Sequence, residues 1–289
     1  MEEPKLDPLT ELGFVSLTVS DLRRSVEFYQ RSLGFKLHGK DGVTAYLGTG
    51  GRDLLIVTEH PGAVKFPRTT GLYHFAILTP SRKELGHVLH NLIETETPLQ
   101  GGADHLVSEA IYLADPDGNG IEIYRDRPRQ EWEYDNGTLI MGTDPLDFKG
   151  ILAEPDGDSA SWIGLNPETR LGHMHLHVAD LREAADFYEK VLGFDLQLYY
   201  GASAAFLSAG GYHHHIGINT WNGAGVPPPP PDSIGLRYFS VQLTSQTEVE
   251  RLIERLDRAE APYENGEKGL LVRDPSQNGV LFQVNHQRQ

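Results

Sequence analysis

HLVSEAIYLADPDGNGIE, residues 105–122, contains a turn-and-strand unit that recurs elsewhere in this sequence. It begins with a strand-like run that closes at Tyr112, continues through an Asp-Pro-Asp-Gly-Asn-Gly turn, and returns as an apolar strand. Gly118 and Gly120 can supply the positive backbone φ that a tight hairpin needs. Glu122 lies inside the returning strand, and because side chains alternate between the two faces of a strand, it faces either solvent or a buried partner. The stretch therefore predicts a hairpin with one carboxylate whose surroundings decide its role.

Composition excludes several classes of function. A chain of 289 residues suits two domains. It contains no run of about 18 apolar residues and no secretory pattern at its N-terminus, so we expect a cytoplasmic protein without a membrane span. The net charge of -16 argues against nucleic acid and anionic lipid as partners. Because there is no cysteine, any metal must be held by histidine, aspartate or glutamate.

The chain repeats two kinds of unit. Residues 12–38 and 171–198 match at Asp-Leu-Arg, Phe-Tyr and Leu-Gly-Phe positions, and the units that start at Gly71 and Gly235 match at their closing Asp-Pro turns. Each unit of the second kind has a predicted central helix, over Arg82–Glu94 and Gln246–Arg258. The pattern predicts an α+β fold of four βαβββ quarters in two similar halves. We number the quarters in chain order, so that quarter one begins near residue 12, quarter two at Gly71, quarter three near residue 171 and quarter four at Gly235. The predicted bounds are 10–126 for the first half, 127–169 for a polar, irregular connecting segment, and 170–286 for the second half.

This architecture resembles the vicinal-oxygen-chelate (glyoxalase-like) superfamily over nearly the whole chain. Within it, residues 105–122 are similar to the signature of type I extradiol ring-cleaving dioxygenases, with a mild departure at Ala103. The sequence over Gly211–Gly217, GYHHHIG, is most similar to that of bacillus-type catechol 2,3-dioxygenases. The signature positions are filled by His105, Ile111, Tyr112, Asp115, Pro116, Gly118 and Glu122.

The resemblance implies a metal held by two histidines and one glutamate, with neighbouring positions left open for a catechol and O2. Iron(II) is the metal it implies, with Mn(II) as the alternative. The family's glutamate falls on Glu122, its second histidine on His74 and its first on His173. The matching places elsewhere hold Phe14, Tyr238 and Leu281.

The three metal-binding residues therefore come from quarters two and three. We infer that these quarters form one cupped sheet and that quarters one and four form the other. Two alternatives stay open at this stage. His173 could come from a second chain of a dimer, or His74 and His173 could be structural histidines of their strands.

The resemblance also implies a histidine that removes a proton from the substrate and later returns it. The family's residue lies on a strand that we predict over His213–Trp221, where His214 and His215 alternate, so that only one of them points inward. Alignment of the histidine run favours His214, whereas alignment on Asn219 favours His215. We prefer His214. A surface metal patch is the other interpretation of three successive histidines.

Further residues are predicted around this site. His105 and Tyr112 match the family's pair that hydrogen-bonds the substrate oxygen or dioxygen, although a tyrosine here can also be ordinary core. His175 and His177 share a strand face with His173. Phe206, Trp221 and Tyr199 are candidates for an apolar wall around the substrate ring, and ordinary core is the alternative for them too.

The function that the resemblance implies is extradiol (meta) cleavage of catechol, or a substituted catechol, by Fe(II) and O2, giving 2-hydroxymuconic semialdehyde in aromatic hydrocarbon catabolism. A homo-oligomer is expected, as in related enzymes. A glyoxalase-type isomerase is one alternative, but it would prefer a carboxylate where His214 or His215 stands. A metal-free small-molecule binding (resistance) protein is another, and it has no need of an intact His-His-Glu set.

Overall fold

Two large β-sheets carry the fold, and helices pack on them. The computed structural model describes residues 5–155 and 162–285. Residue 286, the predicted end of the second half, and residues 156–161 of the predicted connecting segment lie outside the described part of the chain. In the described residues, no helix is long and apolar enough to cross a membrane.

The elements are numbered in chain order. The strands of the first half are β1 (Glu11–Val19), β2 (Lys36–Asp41), β3 (Thr44–Thr49), β4 (Arg52–Glu59), β5 (Gly71–Leu78), β6 (Leu99–Asp104), β7 (Ser108–Ala114) and β8 (Gly120–Asp126). Three two-residue strands follow, β9 (Tyr134–Asp135), β10 (Thr138–Leu139) and β11 (Asp144–Pro145). The strands of the second half are β12 (Arg170–His177), β13 (Asp195–Tyr200), β14 (Ala204–Ser208), β15 (Ile216–Asn219), β16 (Gly235–Leu243), β17 (Tyr263–Gly266), β18 (Gly269–Arg273) and β19 (Gly279–Val284).

Five α-helices lie in the described residues: α1 (Leu22–Arg31), α2 (Arg82–Glu94), α3 (Phe148–Ala153), α4 (Leu181–Asp186) and α5 (Gln246–Arg258). Helix α4 continues as a π-helical turn over Phe187–Val191. Helices α2 and α5 have the predicted bounds, and each begins with a Ser-x-x-Glu sequence in which the serine side chain accepts the backbone N–H of the glutamate.

Sheet topology confirms the predicted pairing of the quarters. One sheet has eight strands in the order β17-β18-β19-β16-β1-β4-β3-β2, which joins quarter four to quarter one. The other has nine strands in the order β11-β6-β7-β8-β5-β12-β15-β14-β13, which joins quarter two to quarter three. Neighbours β5 and β8 are parallel, as are β12 and β15, whereas β7 and β8 are antiparallel.

Contacts divide the chain into two compact units. The first-half unit consists of Leu17–Lys65 and the described part of His74–Leu171. In it, the turn after β7 is fixed to helix α1, because the buried Asp115 carboxylate accepts the hydroxyl proton of Tyr29 at 2.8 Å. The same carboxylate accepts the backbone N–H groups of Asp117 and Asn119 and the Asn119 amide, at 2.8–2.9 Å. Gly118 has the positive φ predicted for this turn, +78°, while Gly120 is already the first residue of β8.

The second-half unit contains the described residues up to Ser16, Phe66–Tyr73 and the described residues from Gly172 onward. It contains the same hydrogen-bonded arrangement around an aspartate. Asp274 accepts the Tyr188 hydroxyl at 3.2 Å, the backbone N–H groups of Ser276 and Asn278 at 2.8 Å, and the Asn278 amide at 2.9 Å. We call the two arrangements the Asp115 clamp and the Asp274 clamp. Each holds the turn of one quarter against the helix of the quarter before it.

Two predictions about local structure are wrong. The strand predicted over His213–Trp221 is shorter, because β15 spans only Ile216–Asn219 and His213–His215 precede it in an irregular segment. The segment predicted as irregular between the halves contains β9, β10, β11 and α3. Strand β11 adds to the edge of β6, and Gly86 of α2 lies so close to Ile151 of α3 that a Cβ at Gly86 would come within 2.5 Å of its carbonyl oxygen.

Candidate metal centre

One face of quarter two brings Glu122 together with His74 and Tyr112. In the strand register Tyr112 lies directly opposite Glu122, and Ala76 lies beside Glu122 on the other neighbouring strand. His74 precedes Ala76 by two residues and therefore shares its face. The small side chains of Ala76 and Ala110 leave room on this face, which is closed below by the buried Tyr124.

His74 and Glu122 form a buried pair. The His74 Nε2 and Glu122 Oε2 atoms are 3.1 Å apart, and the two side chains are 7% and 4% exposed. A carboxylate so far out of water is costly unless a cation or hydrogen-bond donors compensate it. The burial of this pair therefore argues against a solvated strand glutamate. It is what two of the ligands of a cation site would show.

His173 is the third residue of this kind. It lies on β12, is 1% exposed, and its ring lies against that of His214, tilted by 48° with 4.1 Å between centroids. Among the described residues, one group of three could hold a metal ion, and it consists of His74, Glu122 and His173. One ligand atom of each lies within 4.8 Å of the others, and all three side chains are buried.

The donor set fits a metal of the expected type. Two imidazole nitrogens and one carboxylate oxygen are the set used by non-haem iron(II) oxygenases, whose metal keeps open positions for its reactants. No thiolate is available to favour a softer metal. Quarters one and four have Phe14, Tyr238 and Leu281 at the positions that correspond to His173, His74 and Glu122. Phe14 packs edge-on against Tyr238 with 6.1 Å between ring centroids, and Leu281 is buried.

His105 and Tyr112 form a hydrogen-bonded pair beside His74. The His105 Nε2 and Tyr112 hydroxyl are 2.6 Å apart, His105 Nδ1 lies 2.7 Å from the Gly142 carbonyl oxygen, and the Tyr112 ring is 5.8 Å from that of His74. A carbonyl can only accept, so His105 Nδ1 carries a hydrogen. In neutral His105 the Nε2 atom then accepts the Tyr112 proton, whereas in charged His105 it donates to the Tyr112 oxygen.

The run His213–His215 precedes strand β15 and is not part of it, which differs from the prediction. His214 and His215 nevertheless have different contacts, as predicted for two residues of which one points inward. The rings of His214 and Phe206 are 4.7 Å apart, so His214 lies between Phe206 and His173. Its Nδ1 atom is 2.7 Å from His213 Nδ1, so one of these nitrogens donates to the other. His215 instead accepts the Ala209 backbone N–H at Nδ1, at 3.1 Å.

A row of rings continues from His214 along β12. Phe206 contacts His175, with centroids 5.7 Å apart, and Trp221 contacts His175 at 5.3 Å. Tyr199, predicted for this wall, belongs elsewhere, because it lies under the Arg182 guanidinium at 4.3 Å. Its neighbour Tyr200 contacts Phe206 at 6.3 Å. The contribution of Tyr200 is missed by the sequence argument.

Three other contributions are missed as well. The His213 contact to His214 was signalled only by the three-histidine run. Tyr73, which contacts Trp221 at 5.1 Å, was signalled only by its place next to His74. No sequence signal points to the Gly142 carbonyl, because a backbone acceptor can come from any residue.

Comparison with known proteins identifies the family. The model of the Glyoxalase/Bleomycin resistance protein/Dioxygenase superfamily matches residues 11–123 and 170–282. The chain belongs to this superfamily, and the resemblance drawn from its motifs is confirmed. The double match also confirms the predicted two similar halves.

Individual relatives narrow the comparison. The chain is 48% identical over 271 residues to the catechol-2,3-dioxygenase of Bacillus subtilis (strain 168), covering 92% of this chain and 94% of that one. It is 31% identical over 209 residues to a lactoylglutathione lyase of Arabidopsis thaliana, covering 68% of this chain and 59% of the other. The prediction that the chain is an enzyme of this superfamily is confirmed.

The fold is also shared with a solved structure. Glyoxalase I from Zea mays matches with a TM-score of 0.58 and 17% identity, over 94% of this chain and 92% of the other. At that identity the likeness concerns the fold alone.

Proposed function

We propose that this protein is an iron(II)-dependent extradiol dioxygenase that opens the ring of a catechol with O2. The buried group of His74, Glu122 and His173 is the observation that carries the proposal. The 48% identity to a catechol-2,3-dioxygenase supports it independently. In the net reaction the ring bond beside the diol breaks and both oxygen atoms of O2 enter the product, a 2-hydroxymuconic semialdehyde, so that no external reductant is consumed.

His74, His173 and Glu122 would hold the metal, and iron(II) fits their donor types, with manganese(II) as the alternative. A bound iron(II) ion would supply a shared binding template for the diol and O2 and a path for electrons between them. The chain itself supplies orientation and proton transfer. Because His74, Glu122, His173 and His214 are buried, bulk water is kept away from the reacting groups.

His214 is the proposed proton acceptor for the catechol hydroxyl. For Nε2 of neutral His214 to accept a proton, the ring must carry its own hydrogen on Nδ1, and the Nδ1 atom of His213 is 2.7 Å away to accept that hydrogen bond both before and after the proton is taken. His213 thereby stabilises the charged form of His214 and holds its ring against rotation. The proton remains in the site and can return when the ring is cleaved.

His105 and Tyr112 are proposed to act on the oxygen side of the substrate. Because Gly142 holds His105 Nδ1–H, the state of His105 Nε2 decides whether the Tyr112 hydroxyl proton is engaged by His105 or is available to a substrate oxygen. Protonation of His105 therefore frees the Tyr112 hydroxyl hydrogen, which can then be donated to a substrate oxygen. That change suits a step in which negative charge develops on a substrate oxygen.

The test is oxygen uptake by protein loaded with iron(II) under reducing conditions. We expect one O2 to be consumed per catechol, with formation of a yellow ring-opened product. Protein treated with a chelator is the control, and reloading with manganese(II) or zinc(II) identifies the metal. Iron-loaded protein that leaves catechol unchanged and consumes no O2 contradicts the proposal. Conversion of a hemithioacetal instead would favour the lactoylglutathione lyase alternative.

A further inference from the structure

Seven aromatic or imidazole rings form a continuous row in the second-half unit. It starts at His173 and His214 and passes through Phe206 to His175. From His175 it reaches Tyr73 at 5.1 Å and Trp221 at 5.3 Å, and from Phe206 it reaches Tyr200 at 6.3 Å. We call Phe206, His175, Tyr73, Trp221 and Tyr200 the ring wall.

The ring wall is longer than one catechol ring requires. His173, His175 and His177 lie on one face of β12, and at about 3.3 Å per residue this face spans about 13 Å. Stacked or edge-to-face rings lie about 4.5–7 Å apart. A catechol beside His173 and His214 therefore covers only the near end of the row.

The far end is partly open to solvent. Phe206 and His175 are buried, whereas Tyr73, Tyr200 and Trp221 are 40%, 44% and 49% exposed. Large aromatic side chains exposed side by side mark a surface that a partner can cover. An ordinary core would bury these rings against one another instead.

The backbone beneath the wall is shaped for this arrangement. Gly217 lies opposite His175 in the strand register, and a Cβ at Gly217 would come within 3.0 Å of the His175 ring. Behind the rings, Asn219 accepts the Trp221 backbone N–H at 3.0 Å and lies 2.7 Å from His177 Nδ1, while the Trp221 indole N–H donates to Ser203 at 3.1 Å. These contacts fix the orientation of Trp221, although half of its surface is exposed.

We infer that the ring wall binds an apolar substituent on the catechol, of about the size of one further ring, and so makes aryl- or alkyl-substituted catechols the preferred substrates. This inference rests on the proposed function and extends it to a substrate class. The partners of Trp221 behind the wall, Asn219 and Ser203, are neutral, and a protein with a net charge of -16 repels anionic substituents. A carboxylate-bearing catechol is therefore disfavoured.

The experiment compares kcat/KM for catechol, 3- and 4-phenylcatechol and 3,4-dihydroxybenzoate. We expect a phenylcatechol to be preferred over catechol by about tenfold or more, the range that an apolar contact of this size gives in a specificity pocket. Trp221→Ala should lower the phenylcatechol-to-catechol ratio about tenfold, with a smaller decrease for Tyr200→Ala. Tyr199→Ala is the matched control, because Tyr199 is the neighbouring tyrosine on the opposite face of β13, and it should leave the ratio unchanged.

A binding measurement separates the two proposals. Calorimetry without oxygen should show tighter binding of phenylcatechol than of catechol to the iron-loaded protein, and Trp221→Ala should remove the difference. If catechols bind in this way but are never cleaved, the proposed function is wrong and the ring wall stands. If catechol is cleaved while Trp221→Ala leaves both the substrate ratio and the binding difference unchanged, the ring wall is overturned and the proposed function stands.

Discussion

Quarters two and four contain the same turn but differ at the residues that could bind a metal. Asp115 and Asp274 each open a turn in which one carboxylate accepts two backbone N–H groups, an asparagine amide and a tyrosine hydroxyl. Seven residues after each aspartate, however, one quarter has Glu122 and the other Leu281. The opening strands differ in the same way, with His74 in one quarter and Tyr238 in the other.

The positions that hold each turn are therefore separate from the positions proposed to bind the metal. The clamps satisfy buried polar groups and fix each turn to a helix in both quarters. The two strand positions that differ are those proposed to decide whether a quarter binds a metal. Quarter four keeps Leu281 buried at its position, and its Tyr238 packs edge-on against Phe14.

The largest expected effect comes from the three positions proposed to bind the metal. His74→Ala, Glu122→Ala and His173→Ala should each abolish tight iron binding and activity, because a three-residue site loses a third of its ligands and leaves buried polar groups unpaired. Metal content after gel filtration is the measurement, with circular dichroism to show that the variant is folded.

Quarter four provides the matched control for His74. Tyr238→Ala removes a side chain at the corresponding place and should leave one iron per chain. If Tyr238→Ala releases the metal as fully as His74→Ala, or if wild-type protein holds two tightly bound metals per chain, the distinction between the two quarters is wrong.

A smaller effect is expected at the histidine run, where two adjacent residues have different contacts. His214→Asn should keep the iron and slow turnover by about 10²–10⁴-fold, the range of general acid–base groups. His215→Asn should have a weaker effect on turnover, because His215 Nδ1 accepts a backbone N–H. Single-turnover rates and iron content separate the two cases. A His214→Asn enzyme of normal rate, alongside a crippled His215→Asn enzyme, would reverse the assignment.

The smallest expected effect concerns the clamps and pH. Burial raises the pKa of Asp274 to about 6, outweighing the hydrogen bonds from Asn278, Tyr188 and Ser276. Between the ordinary pKa of 3.8 and about 6, the folded protein thus binds a proton that the unfolded chain does not. The Asp274 contribution to the free energy of unfolding is therefore fully present below pH 4 and is lost as pH rises to 6, by on the order of 1–3 kcal/mol.

Urea unfolding of wild type and Asp274→Asn at pH 4, 5, 6 and 7 isolates this contribution. The wild type should lose stability relative to the variant across this window. Asp115→Asn is the companion, since burial also raises the pKa of Asp115, and its difference from wild type should have the same sign. A difference from Asp274→Asn that is constant from pH 4 to 7 would falsify the linkage.

Much of the fold could be predicted because repeats and capping sequences are local signals. The bounds of α2 and α5 follow from their Ser-x-x-Glu starts. The pairing of quarters two and three followed from chemistry, since His74, Glu122 and His173 can share one metal only if their strands are brought together. The sheet order agrees with that argument.

Two parts of the candidate site depend on backbone irregularities that the sequence does not display. Gly210 and Gly211 have φ of +61° and +64°, and the chain that leaves them stays irregular until Ile216, so strand alternation does not apply to His214. In β13 the register shifts between Leu196 and Leu198, which alters which side chains face Phe206. Tyr200, rather than Tyr199, consequently joins the ring wall.

The Gly142 carbonyl gives the segment between the two halves a role beyond spacing. By accepting the His105 Nδ1 hydrogen it selects one tautomer of that ring, and strand β11 next to it is anchored on β6. Insertions or deletions close to Gly142 are therefore expected to alter proton transfer without touching any of the residues proposed to bind the metal. Loop grafting between relatives of this protein would have to preserve the position of one backbone oxygen, whatever residue carries it.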